Sequence, residues 1–141
     1  HRIIYDKSLS YYFLEESRHF GKMSNVMSEM IERGSGYSDG EYIEQVSLQN
    51  KLTVKMNEIM KKYDIDYILT PSTGSEAPRI GECEIPDSSL IWTYFGMPSV
   101  SIPLFKNVTS GLPYGLQIIA PRYRDLSLLE FSEKVYLMKK S

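Results

Sequence analysis

Apolar residues recur at spacings of three, four and seven between residues 8 and 33, namely Leu9, Tyr12, Phe13, Phe20, Met23, Met27, Met30 and Ile31. That is the period of one helix face, and it predicts a helical segment. Gly21 is the point where it would break into two helices. Gly34 is placed to end the segment as a left-handed C-terminal residue, and Gly34-Ser35-Gly36-Tyr37 reads as a turn. Ser38-Asp39-Gly40-Glu41 then has the spacing of a capping box, in which serine and glutamate satisfy each other's unpaired backbone donors. Tyr42, Val46, Leu52, Met56, Ile59, Met60 and Tyr63 form the stripe of a second helix over 38–63, with Lys61 and Lys62 at its negative end.

From residue 66 the texture changes. Asp66-Tyr67-Ile68-Leu69-Thr70-Pro71 predicts a short strand ended by proline. Residues 72–89 hold Gly, Pro, Ser and acids without a period and predict a long loop, a kind of segment that often carries function. A helical turn is expected over 89–95, a strand over 99–103, a turn through Gly111-Leu112-Pro113 and a strand over 115–120. Asp125 is a good N-cap for a last helix with an inner face of Leu128, Leu129, Ser132, Val135 and Tyr136, ending at Lys139-Lys140. The fold class is α/β, with two long N-terminal helices, about three strands and a C-terminal helix. No linker divides the chain, so 1–141 is expected to be a single unit. Tyr67, Ile68, Leu69, Ile118 and Ile119 are expected to be buried on both faces of the sheet. Such strands need sheet neighbours and covering helices, and the chain supplies few.

Composition changes this picture in one respect. With 141 residues, 42% apolar and 24% charged, the chain is ordinary for a globular domain. Eighteen acids against 16 bases, a net charge of −2, give no electrostatic basis for a nucleic-acid partner. Mean hydropathy is −0.29 and no apolar run suits a membrane span. Cys83 is the single cysteine, so an intrachain disulfide is ruled out and a spectator thiol is expected. A cytoplasmic location is the default expectation. But the sequence opens His1-Arg2-Ile3 with no initiator methionine, which is expected of a processed chain or a piece of a longer one.

Local catalytic chemistry is sparse. No serine lies in a G-x-S-x-G elbow, and there is no G-x-G-x-x-G or Walker loop. Of the two histidines, His1 is terminal and His19 lies in the first helical segment. Glu15-Glu16 and Glu82/Glu84 are spaced like surface charges. No cofactor and no metal are expected.

The most specific text borders the strands. Thr70-Pro71-Ser72, Ser75-Glu76-Ala77-Pro78, the run from Trp92 through Gly96-Met97-Pro98 to Ile102-Pro103, and Gly111-Leu112-Pro113-Tyr114-Gly115-Leu116-Gln117-Ile118-Ile119-Ala120-Pro121 occur in that order, followed by Asp125 to Leu129. Together they resemble the C-terminal part of the amidase signature family. The resemblance implies part of a mixed β-sheet flanked by helices, in enzymes that cleave amide bonds. Their catalytic centre is a Ser–cis-Ser–Lys set in which lysine acts on the bridging serine, which relays a proton from the nucleophilic serine. That chemistry suits an amide, whose attack needs an activated serine and whose leaving amine needs a proton. The Gly/Ser-rich stretch that carries the serines is absent here, so no catalytic residue is assigned. Lys51 and Lys55 lie on a predicted helix and are not promoted.

The resemblance implies that this chain completes the sheet and one wall of the substrate pocket. Ser72, Thr73, Trp92 and Asp87 are the candidate substrate-binding residues. Trp92 fits either a pocket wall or a core ring beneath the Ser99 strand. Asp87 lies close to the position of an acid in glutamine-acting members, and equally suits a helix cap before Ser88-Ser89. Thr93 stands where those members often have Asn, so the chain is more similar to members with a Trp-Thr form, whose substrates vary widely. The expected partners are a small-molecule amide in the full enzyme and a catalytic N-terminal portion, or a second copy, packed on exposed apolar surface. Two alternatives remain open, a non-catalytic binding or scaffolding protein derived from the family and one chain of a split amidase.

Overall fold

In a computed structural model, residues 1–82 and 89–138 are described, apart from the side chain of Phe20. The chain divides into two compact units, His1–Leu52 and Thr53–Ser141.

The first unit is helical. Helix α1 spans Arg2–Tyr12 and α2 spans Asn25–Gly36, joined through a 3-10 segment at Glu16–Lys22. The expected break falls here, but at His19, whose φ of −122° and ψ of 47° are not helical, rather than at Gly21. Ser24 caps α2, its hydroxyl accepting from the Met27 N–H at 3.3 Å. Gly34-Ser35-Gly36 is the last turn of α2 and not the expected turn after a helix. The reason is packing. A Cβ on Gly34 would lie 1.9 Å from the Asp6 carbonyl oxygen, so only glycine lets α2 approach α1 this closely. Beside it the buried Asp6 carboxylate accepts from Arg33 Nε at 3.0 Å, and this bond raises the Arg33 pKa above its ordinary value. Lys7 Nζ donates to the Tyr37 carbonyl at 2.6 Å and pairs with Asp39.

Helix α3 spans Asp39–Lys62. Its capping box forms as expected, with Ser38 N–H donating to Glu41 Oε2 at 2.8 Å and Glu41 N–H to Ser38 Oγ at 3.2 Å. The helix ends in a Schellman arrangement. Ile65 N–H reaches the Met60 carbonyl at 2.8 Å, Asp64 N–H reaches Lys61, and Asp64 adopts φ 53° between them. Met60 and Ile65 also meet in the core, which supplies the apolar contact of that motif.

The second unit holds a three-stranded antiparallel sheet, β1 (Ile68–Pro71), β2 (Ser99–Lys106) and β3 (Pro113–Ile119), in the order β1-β3-β2. β2 and β3 are longer than their sequence signals. β2 runs on past Pro103 through a register shift between Ile102 and Phe105, which accommodates a residue without an N–H. Between them the Asn107 side chain accepts from the N–H groups of Thr109 and Ser110, and Gly111 takes φ 73°.

Helix α5 (Asp125–Met138) packs on one sheet face, where Ile102, Ile118, Ala120 and Leu128 are buried and Tyr67 stacks on Phe131 with ring centres 4.2 Å apart. On the other face Ile119 joins Met60 and Met97, with Met56, Ile65, Ile68, Trp92 and Phe95 around them. Trp92 and Phe95 come from α4 (Leu90–Phe95), which Gly96 ends at φ 61°. The α/β class stands, with helices against both faces of the sheet. Three expectations change. Asp125 lies in the first turn of α5, which begins on the Arg124 carbonyl. Leu129 is 57% exposed, because the inner face of α5 runs through Leu128, Phe131, Ser132 and Val135. Leu69 is 55% exposed, because β1 is an edge strand, whereas Ile118 and Ile119 on the central strand are fully buried. Among the described residues no helix is long and apolar enough to cross a membrane.

Candidate functional site

Strand alternation sorts the sheet into two chemically different faces. The register places Ile68 and Ser99 opposite Ile119, and Thr70 and Ser101 opposite Gln117. One residue further, Ser72 N–H donates to the Gly115 carbonyl at 2.9 Å and prolongs the β1–β3 ladder. One face therefore carries Thr70, Ser72, Ser101 and Gln117 beyond the apolar cluster at Ile119. Thr70 Oγ1 donates to Gln117 Oε1 at 3.3 Å. The Ser72 and Ser101 hydroxyls meet at 2.6 Å. They meet over Gly115, where a Cβ would stand 2.4 Å from Ser72 Oγ and 2.5 Å from Ser101 Oγ. A side chain there would separate the pair.

Beside this floor the chain from residue 72 to 78 curls along one side of an open cavity of about 500 Å³. Its walls include Ser72, Thr73, Glu76, Ser101, Tyr114 and Gly115. Thr73 Oγ1 donates to the Ser75 carbonyl at 2.6 Å, which fixes the curl, and Ser110 Oγ donates to Glu76 Oε2 from the β2–β3 connection. Tyr114 stacks on Phe105, with centroids 5.3 Å apart. The far side of the same curl borders a second groove of about 640 Å³, which Glu76 and Tyr114 share with Lys106.

Of the four candidate binding residues, the structure brings Ser72 and Thr73 together in this cavity. Trp92 lies outside its lining and packs beside Met60, Met97 and Ile119, its indole Nε1 buried without a hydrogen-bond partner among the described residues. Asp87 falls outside the described residues, as does Cys83. Sequence reasoning misses Ser101, Gly115 and Tyr114 as site residues. Ser101 and Gly115 read as strand positions, and only the pairing of β2 with β3 reveals that they share a face with Ser72.

The cavity offers hydroxyl donors, a carboxylate and an aromatic ring. Among the described residues its lining includes no lysine or histidine, and its one carboxylate, Glu76, accepts from Ser110 Oγ. Lys51 and Lys55 are exposed on α3, and His1 stacks on Tyr5 in the first unit. Among the described residues no group of three His, Cys, Asp or Glu side chains suits a metal. The arrangement presents hydrogen-bonding hydroxyls beside a carboxylate and an aromatic ring.

Comparison with known proteins places this geometry. Residues 4–129 match the family described as Amidase. Fatty acid amide hydrolase of Medicago truncatula is 28% identical over 112 residues, covering 70% of this chain and 18% of that protein. A glutamyl-tRNA(Gln) amidotransferase chain of Pelagibacter ubique is 35% identical over 106 residues, covering 70% of this chain and 21% of its own length. Among solved structures, the crystal structure of an amidase overlays 92% of this chain and 34% of its own at a TM-score of 0.75 and 19% identity. A 6-aminohexanoate cyclic dimer hydrolase overlays 90% of this chain and 32% of its own at 0.62 and 17%. The fold is theirs, and this chain spans between about a fifth and a third of the length of these proteins.

Proposed function

This chain belongs to the amidase family, and from that premise we propose that it is the C-terminal portion of an amidase signature hydrolase. In that reading the complete enzyme cleaves an amide C–N bond with a Ser–cis-Ser–Lys set carried by its N-terminal portion. Residues 1–141 form one segment of its domain, complete the sheet and wall the substrate pocket, and have no activity alone. The observation that carries the reading is the family match over 4–129 in a chain that covers 18% to 34% of its relatives and lacks a Gly/Ser-rich catalytic stretch. Ser72 and Thr73 serve the pocket. The enzyme works in the cytoplasm on a small-molecule amide.

Exposed apolar surface supports a packing partner. Helix α5 exposes Leu126, Leu129 and Leu137, at 71%, 57% and 53%, on the side that also carries Glu130, Glu133 and Lys134. Apolar side chains set among charges in this way form a patch that suits a packing partner. The sheet edge gives the same indication. Ala120 N–H donates to the Pro98 carbonyl, and bonding to one neighbour alternates along a strand, so Ser99 and Ser101 turn their backbone groups away from β3. A strand or segment from the catalytic portion fits there.

The test is direct. The native coding sequence is read upstream of His1, and the full-length polypeptide and residues 1–141 are assayed for ammonia or amine release and for labelling by a fluorophosphonate. The full-length protein reacts and the 141-residue chain does not. Stoichiometric labelling of the 141-residue chain, or a reading frame that starts at its first residues with no catalytic partner co-purifying, overturns the proposal and favours a free-standing binding protein.

A further inference from the structure

We propose that the cavity over Gly115 selects substituents bearing a cationic amine and excludes carboxylates. The proposal rests on reading this cavity as the wall of an amide pocket, and adds the charge class of what it holds.

Three observations carry it. First, among the described residues the cavity lining holds one full charge, and it is negative. Glu76 supplies the carboxylate, with no lysine, arginine or histidine beside it in that lining. Second, Glu76 is held in place. Ser110 Oγ donates to its Oε2, and the residue is half-buried, so the carboxylate keeps a fixed direction while Oε1 remains to accept from a ligand. Third, Tyr114 lines the same cavity, braced by its stack on Phe105. An aromatic face beside a carboxylate attracts an ammonium twice over, through charge and through the ring quadrupole. The Ser72–Ser101 pair supplies the complementary group. Two hydroxyls share one hydrogen bond at 2.6 Å, which leaves a second O–H to donate to a ligand carbonyl. A ligand that offers a carbonyl oxygen at one end and an ammonium at the other satisfies both.

Lys106 is the counterweight. It lines the neighbouring groove across the curl, with Glu76 and Tyr114 common to both hollows, and it does not line the cavity itself. An anion drawn to this region would therefore bind in the groove and depend on Lys106.

The 141-residue chain is titrated with hexylamine, hexanamide and hexanoate at neutral pH and low salt, with backbone amide shifts at Gly74 and Gly115 as the local readout. Hexylamine binds tightest, by about fivefold over hexanoate, the size of one partly solvated charge pair. Glu76→Gln reduces hexylamine to the level of hexanamide, and Lys106→Ala leaves hexylamine unchanged. Equal or tighter binding of hexanoate, insensitivity of hexylamine to Glu76→Gln, or absence of binding at Gly74 and Gly115 by all three probes overturns the proposal. Amide turnover by the full-length polypeptide tests the underlying reading separately, since charge preference in this chain is measured without catalysis.

Discussion

The hydroxyls of Ser72 and Ser101 meet at 2.6 Å although 29 residues separate them, and they meet because Gly115 on the strand between them has no side chain. The site floor is thus a property of strand pairing and of one absent methyl group.

Gly115→Ala tests this. The new Cβ would fall 2.4 and 2.5 Å from the two hydroxyls and 3.1 Å from the Ile102 carbonyl. The serines can rotate but the carbonyl on the paired strand cannot, so the expected cost is about 1–3 kcal/mol, the range for overpacking. The cost shrinks in a Ser72→Ala/Ser101→Ala background, where the hydroxyls are gone, because contacting residues do not add independently. Denaturant midpoints of the four variants measure the coupling, and strict additivity would show that the hydroxyls do not press on this position.

Gly34→Ala sets two magnitudes against each other. On an exposed helix the change gains roughly 1 kcal/mol of propensity. Here the added carbon would stand 1.9 Å from a backbone carbonyl oxygen of α1, and backbone yields less than a side chain. The clash wins, and the melting temperature falls. A rise would show that α1 and α2 do not approach at Gly34.

Arg33→Ala leaves the Asp6 carboxylate buried without its guanidinium partner, while Arg33→Lys keeps a cation nearby. The alanine variant is expected to melt lower than the lysine variant, and the double variant with Asp6→Asn is expected to recover stability. Circular dichroism melts of the three rank them.

Glu41 gives a pH dependence with a definite sign. Its pKa is lowered by the Ser38 backbone hydrogen bond first and the Ser38 hydroxyl second. A carboxylate with a depressed folded pKa stabilises fully above its ordinary value of about 4.5 and loses that stabilisation as pH falls through the lower folded value. Glu41→Gln therefore shows less stability loss between neutral and acid pH than the parent chain. Parallel slopes over that window would remove Glu41 from the acid transition.

These cases show what the sequence makes legible. The capping box at Ser38 and Glu41 is readable because both partners lie within one turn. Ile118 and Ile119 are readable as core because a central strand is apolar on both sides. Gly34 reads as a helix stop because its actual role, close contact with Asp6, lies 28 residues away. Leu69 and Leu129 read as buried from hydropathy alone, which does not report whether a strand is central or which way a helix turns. At the site, motif resemblance points to Ser72 and Thr73, whereas Ser101, Gly115 and Tyr114 need the register of β3 before they join them.

The outer face of α5 separates stability within the chain from association beyond it. Leu128 is 2% exposed and belongs to the core, so Leu128→Ala is expected to cost about 2–5 kcal/mol in any context. Leu129 and Leu137 are more than half exposed, so Leu129→Lys and Leu137→Lys are expected to leave the melting temperature of the 141-residue chain nearly unchanged. They also replace exposed apolar area with charge, so if that chain self-associates through this face, its dissociation constant in analytical ultracentrifugation is expected to rise. In the full-length polypeptide the same substitutions act differently if the catalytic portion covers this face. Each lysine would then be buried at a packed boundary, and stability and amide turnover would fall together. A full-length protein indifferent to both substitutions would show that α5 faces water there and that the catalytic portion packs elsewhere, leaving the β2 edge as its remaining point of attachment.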